Sequence, residues 1–242
     1  LFQSTLLKRD AELETRADLA KSWSLSEDRL TWTIKVREDA RFSDGTPLTA
    51  KDVAFTFNEG AKSGGALDLT VLKRATAIEG ATVSIELKRP WITFAENFYS
   101  LGIVPAASYG DGYAADPVGS GPYKLVSWTR GEQLIVEANP EYYGPHAAFD
   151  RITFLFTDED TSLAAAQAGQ VDMVSVPAAL ADLTPDGFKQ LSVKSVDNRG
   201  ITFPIPGPSL SEDGTVIGNA VTSDRAIRRA INLGVDREKL VE

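Results

Sequence analysis

Residues 30–36 read Leu-Thr-Trp-Thr-Ile-Lys-Val, apolar and polar in strict alternation, the period of a strand with one face buried. Val83, Ile85 and Leu87 alternate with Ser84, Glu86 and Lys88 in the same way, and Pro90 ends that strand. Between them Ser43-Asp44-Gly45-Thr46-Pro47 has turn chemistry. Thr49 then precedes Asp52 by three residues, close to a capping box, and Val53, Phe55 and Phe57 open a helix that Gly64-Gly65 interrupts. Residues 18–23 read as a short helical stretch, 93–99 as a short aromatic helix, and Ile103-Val104 as a buried strand.

Residues 110–121 are loop-like, with four glycines and Pro117. Beyond them the pattern predicts a hairpin, 123–128 and 134–138, around Thr129-Arg130-Gly131-Glu132. Ile152, Phe154 and Phe156 mark another strand. Residues 161–168 read as a helix with Gly169 suited to a left-handed cap. Strands at 171–174, 193–196 and 201–203 would complete a strand–helix–strand alternation. A loop over 205–221 leads to a helix over 224–233. The fold class expected is mixed α/β (α+β), divided into residues 1–116 and 117–242, with the boundary at Pro117-Val118-Gly119-Ser120-Gly121-Pro122-Tyr123.

Composition narrows the chemistry. The 242 residues carry a formal net charge of -9, which disfavours nucleic acid as a partner because phosphate binding needs a basic patch. Cysteine is absent and His146 is the one histidine, so thiolate chemistry and clustered-imidazole metal sites are excluded, and no metal or cofactor is expected. No apolar run approaches the roughly 20 residues that span a bilayer.

The Gly-Ser-Gly core is not a phosphate loop, since Pro122 and a strand follow where Gly-Lys-Ser/Thr and a helix are required. Ser120 also lacks the flanking pattern of a nucleophile elbow. Asp158-Glu159-Asp160 precedes a helix start, where acidic residues complement the dipole. Arg225, Arg228 and Arg229 read as a solvated or domain-facing helix surface, and Trp91, Phe94, Phe98 and Tyr99 as core at helical spacing. Tyr99-Ser100 suits a cleft wall, and Asp197-Asn198-Arg199-Gly200 brings polar groups to a strand start. No nucleophile, base and orienting group stand together, so the chain does not read as an enzyme; a hydrolase on an α/β frame and a sensor module are the competing readings.

A linked series of motifs then carries a resemblance. Leu19-Ala20-Lys21-Ser22-Trp23, Arg41-Phe42-Ser43-Asp44-Gly45-Thr46-Pro47, the Pro117 to Tyr123 motif, Asn139-Pro140-Glu141-Tyr142-Tyr143, Gly169-Gln170-Val171-Asp172 and Arg228-Arg229-Ala230-Ile231-Asn232 stand in order along the chain. Together they resemble the extracellular solute-binding proteins of peptide and nickel ABC importers, family 5. The resemblance implies a type II periplasmic-binding-protein-like fold, two lobes closing on a ligand, and a fragment lacking the N-terminal strands and the second lobe. Residues 1–116 would be the extra domain of the family and 117–242 part of the first ligand-binding lobe. It further implies a monomer outside the cytoplasm, in the periplasm or lipid-anchored at the cell surface. There it would capture an oligopeptide or other small solute for a membrane permease. The cleft-facing residues expected are Tyr99, Ser100, Gly119, Ser120, Gly121, Asn198, Arg199 and Thr202. Two departures stand out: Pro204 where the family commonly has Asn, and no arginine at 64–67 or 99–101, which the nickel-binding branch would carry there.

Overall fold

The structure is a computed structural model that describes residues 1–65, 67–192, 202–211 and 214–239. It divides into two compact units, Leu1–Ala178 and Ala179–Glu242, so residues on both sides of Pro117 belong to the first.

In the first unit, β1 (Leu7–Arg9) and β2 (Thr15–Ala17) form an antiparallel hairpin. The next strands are β3 (Ala20–Leu25) and β4 (Thr31–Val36). After α1 (Ala50–Ser63) come β5 (Leu72–Ile78) and β6 (Thr82–Leu87), and the four strands form one antiparallel sheet in the order β3-β4-β6-β5. The helical reading of 18–23 is corrected here. Trp23 lies opposite Ile34 and Leu25 opposite Trp32, so pairing with β4 decides a segment whose local pattern was ambiguous. Strand β5 was not foreseen. A register shift between Leu72 and Arg74 breaks its alternation, and its inward residues Ala75 and Ala77 are small.

Helix α1 has the expected start. Thr49 is the N-cap, its N–H and hydroxyl both donate to Asp52 Oδ2 (2.8 and 2.7 Å), and Gly64 closes the helix in the left-handed region at φ 60°. Val53 and Phe57 face the sheet, wholly buried. A 3₁₀ turn over Ile92–Glu96 runs into the single turn α2 (Asn97–Ser100). Phe94 and Phe98 pack edge to face at 5.8 Å, and Phe98 meets Trp32 at 5.2 Å, so the aromatic cluster is core as its spacing suggested. Ile103 is buried, but in place of the expected strand it makes a single extended rung, its N–H donating to Ser4 O.

A second antiparallel sheet is the meander β7 (Tyr123–Thr129), β8 (Gln133–Ala138) and β9 (Arg151–Leu155), turned at Gly131 with φ 79°. Helix α3 (Glu159–Gln167) follows, capped by Asp158, whose carboxylate accepts from Thr161 N at 2.7 Å. That contact accounts for the acidic run as a helix start. Residues 171–174 form no strand. Met173 is 78% exposed, and among the described residues no sheet takes up this segment. The strand expected at 193–196 lies outside the described residues, as does Ile201 of the one expected at 201–203, whose described residues Thr202 and Phe203 form no strand. Every ladder among the described residues is antiparallel, so the strand–helix–strand alternation gives way to a mixed α+β arrangement.

The second unit holds a 3₁₀ segment with the hairpin β10 (Ser209–Leu210) and β11 (Val216–Ile217), then α4 (Ala220–Ser223) and α5 (Arg225–Gly234). Asp224 caps α5. The Arg228 guanidinium donates to the carbonyls of Thr222 and Ser223, closing the end of α4 rather than standing free in solvent.

Candidate functional site

The Gly119-Ser120-Gly121 core packs against the beginning of the chain. Gly121 N donates to Phe2 O at 2.7 Å, Ser4 Oγ donates to Ser120 O at 2.9 Å, and Ser43 N donates to Gly119 O at 2.8 Å. On the other side of residues 1–5, Ile103 N reaches Ser4 O, so the first residues run between the 103 segment and the glycine motif. A Cβ on Gly119 would lie 2.0 Å from Phe2 O, and one on Gly121 would lie 2.2 Å from Leu1 O. The close approach these glycines permit is thus to the chain's own backbone. Ser120 is fully buried, and among the described residues its hydroxyl has no hydrogen-bond partner and no base beside it. His146 lies elsewhere on the surface, its Nδ1 beside Ala147 O.

Tyr99 and Ser100 come to the end of α2 by the predicted short helix. Tyr99 is half-buried: its hydroxyl meets Thr15 Oγ1 at 2.6 Å, and the Arg9 guanidinium stacks over its ring at 4.4 Å. Its polar tip is therefore engaged by the β1–β2 hairpin. Ser100 is exposed and lines a depression of about 310 Å³, together with Leu67, Asp68, Trp91 and Asn97. Thr202 is exposed in the second unit, while Asn198 and Arg199 lie outside the described residues. Within the first unit the structure joins Tyr99 with Ser100 on one short helix and sets Gly119 to Gly121 under residues 1–3. No described contact links the two groups directly.

Sequence reasoning missed two arrangements. The first is the opening segment itself, whose five residues show no periodic signal. Gln3 Nε2 donates to Tyr113 OH, which donates to Val118 O, fastening the approach to the glycine motif. The second is a node at Tyr143. Its hydroxyl donates to Asp18 Oδ1 at 2.7 Å, and the Arg37 guanidinium lies 3.8 Å over its ring. Burial, with the Asp18 charge behind it, pushes the Tyr143 phenol well above its usual range. Arg37 also holds Asp39 in a forked contact, two bonds of 2.8 Å, which draws that carboxyl down to about 2. The only sign in the sequence was the Tyr-Tyr pair in a turn, which local periodicity cannot place.

The chain is a member of the bacterial extracellular solute-binding proteins, family 5, whose middle region matches residues 14–242. It is 34% identical to Protein XP55 of Streptomyces lividans over 98% of its own length and 44% of that protein's. It is 27% identical to the oligopeptide-binding protein AppA of Bacillus subtilis, covering 100% of the chain and 46% of the relative. Among solved structures, NikZ from Campylobacter jejuni in complex with Ni(L-His) superposes with a TM-score of 0.87 at 27% identity, over 100% of this chain and 49% of that one. AppA in complex with a nonapeptide superposes with a TM-score of 0.70 at 26% identity, over 76% and 40%. The chain therefore spans less than half the length of the relatives it matches. The fold is that of periplasmic-binding-protein-like family 5 proteins. Among the described residues no helix is long and apolar enough to cross a membrane.

Proposed function

We propose that this chain is part of the substrate-binding component of an ABC importer, which captures a peptide or similar small solute outside the membrane and delivers it to a permease. The observation that carries this reading is the family match over residues 14–242, joined to relatives named for peptide binding along essentially the whole chain. The role is capture rather than turnover: ligand contacts made from both lobes would favour a closed state that the permease recognises. The division at Pro117 would mark passage from the extra domain into a ligand-binding lobe. Tyr99, Ser100, Asn198, Arg199 and Thr202 would face solute, with Arg199 suited to a carboxylate. Gly119, Ser120 and Gly121 would shape the cleft by holding the adjoining backbone. A monomer at the cell surface or in the periplasm fits this role.

A second reading, capture of a nickel chelate, is favoured by the superposition on NikZ with Ni(L-His) across the full chain. Calorimetry on the complete gene product that carries this chain separates the two. A peptide library is expected to give saturable heats, and Ni(II) with and without histidine is expected to give none. Binding of the nickel chelate alone reverses the order of the readings, and binding of neither defeats both.

A further inference from the structure

An aspartate followed by glycine can rearrange its own backbone, because glycine, with no Cβ, leaves its amide nitrogen open to the preceding carboxyl. Four such pairs stand in the sequence, beginning at Asp44, Asp111, Asp186 and Asp213, and Asp213 lies outside the described residues. At Asp44 both reacting groups are engaged. Its Oδ1 accepts from the Thr46 N–H at 2.9 Å and from the Thr46 hydroxyl at 2.6 Å, while the Gly45 N–H donates to Phe42 O at 2.9 Å. Phe42 N donates to Thr46 O and Ser43 N to Gly119 O, so this turn is closed on itself and tied to the glycine motif. Attack by Gly45 N has to open it first.

At Asp111 neither group is held. Asp111 and Gly112 are both exposed, and among the described residues neither the Asp111 carboxylate nor the Gly112 N–H has a hydrogen-bond partner. They are the middle residues of a turn that Tyr113 N closes on Gly110 O at 3.0 Å, and a Cβ on Gly112 would meet nothing within 4 Å. The nitrogen can therefore turn toward the side chain without displacing a neighbour. Asp186-Gly187 is exposed in the same way, in the second unit. What sets Asp111 apart is the residue that follows its pair. The Tyr113 hydroxyl donates to Val118 O at 2.7 Å and accepts from Gln3 Nε2 at 3.0 Å, strapping the approach to the glycine motif.

We infer that Asp111-Gly112 is a site of spontaneous isoaspartate formation, and that the fold protects Asp44-Gly45 from the same reaction. Gly112 N bonds to Asp111 Cγ, the Cγ–OH bond of the neutral acid breaks, and the hydroxyl leaves with the amide proton as water, giving a five-membered succinimide. Water then adds to the ring at the former main-chain carbonyl of Asp111. The bond from that carbon to Gly112 N breaks, so the chain runs on through Cγ and the α-carboxylate is set free. The water lost is regained, and no other reactant is needed. One methylene enters the main chain ahead of Tyr113, which loosens the strap onto Val118 and Gln3. The inference is independent of what solute the protein captures.

The test ages the complete gene product in warm, mildly acidic buffer, folded and in urea. A protein-isoaspartate methyltransferase with labelled S-adenosylmethionine then marks the new α-carboxylates, and trypsin separates the two pairs, on residues 42–51 and 89–124. In urea both peptides are expected to take up label at comparable rates. In the folded protein residues 89–124 are expected to keep that rate, and residues 42–51 to label about tenfold more slowly, because a local opening must come first. Asp111→Glu keeps an exposed carboxylate but needs a six-membered ring to cyclise, so residues 89–124 of that variant should stay unlabelled. Equal labelling of the two peptides in the folded protein, no label on residues 89–124 when the urea sample labels both, or label retained in Asp111→Glu overturns the inference.

Discussion

The two sheets of the first unit carry similar alternation but finish it differently. In β3-β4-β6-β5 the inward residues Ile34, Val36, Val83 and Ile85 are all at most 1% exposed, and α1 with the Phe94–Phe98 pair closes over them. In β7-β8-β9 Val136 is fully buried, yet Trp128 is 41% and Leu155 48% exposed. The first sheet has a complete core of its own. The second has a buried centre and apolar margins left open, so strand pattern alone does not establish how much of a face is covered.

The largest effect that would break this contrast is in the first core. Phe57 touches both Phe94 and Phe98, at 6.4 and 5.9 Å between ring centroids. Phe57→Ala is expected to destabilise by roughly 3–5 kcal/mol in denaturant titration, from lost transfer energy and a cavity. Trp128→Ala, at the open margin, should cost below about 1 kcal/mol. Comparable losses at the two positions would show that the second sheet is packed as tightly as the first.

Much of the first sheet was legible in sequence because its central strands alternate cleanly and α1 announces itself through Thr49 and Asp52. Strand β3 was misread, and β5 was missed. In β3, pairing with β4 outweighed a weak local signal; in β5, the register shift and Ala75 removed the large apolar residues that periodicity relies on. The expected strand at 171–174 was wrong for the converse reason. Val171 and Val174 supply β propensity, but among the described residues no strand edge pairs with them. At the candidate site, the seating of Gly119 and Gly121 against the first residues was not legible, because the opening segment carries no periodic signal and the contact is made backbone to backbone.

The junction between the two sheets offers the next test. Gly119→Ala would place a methyl group against Phe2 O, a backbone atom with little room to yield, so a loss of about 2–3 kcal/mol is expected. Gly131→Ala is the matched control. Its φ of 79° is unfavourable for alanine, yet nothing lies within 4 Å, so only the conformational cost of about 1 kcal/mol remains. Equal losses would mean that the glycine motif serves backbone conformation and not the approach of residues 1–3.

Tyr143, in the turn after β8, joins the second sheet's region to the first through Asp18 and Arg37. Tyr143→Phe keeps the ring under Arg37 and removes the donor to Asp18, whose side chain is 9% exposed. The expected cost is about 1–2 kcal/mol, the penalty of an under-satisfied buried carboxylate, softened by Lys8 at 3.7 Å. A double-mutant cycle with Asp18→Asn should show coupling, and strict additivity would mean that the hydroxyl contact contributes nothing.

Asp39 gives the smallest effect and the clearest sign. Its carboxyl titrates at about 2 in the fold against an ordinary 3.8, because the Arg37 fork favours the charged form. A lowered carboxyl contributes stability that is fully present above 3.8 and lost as pH falls through about 2. The side chain is 63% exposed, so solvent screening holds the contribution below about 1 kcal/mol. Asp39→Asn should therefore lower stability slightly at neutral pH and flatten its decline across that acid window, read from denaturation midpoints at each pH. Arg37 would keep its stacking on Tyr143 in that variant. An unchanged acid slope would mean that the Arg37 fork on Asp39 contributes nothing to stability across that window, and that Arg37 serves this node through its stacking on Tyr143 alone.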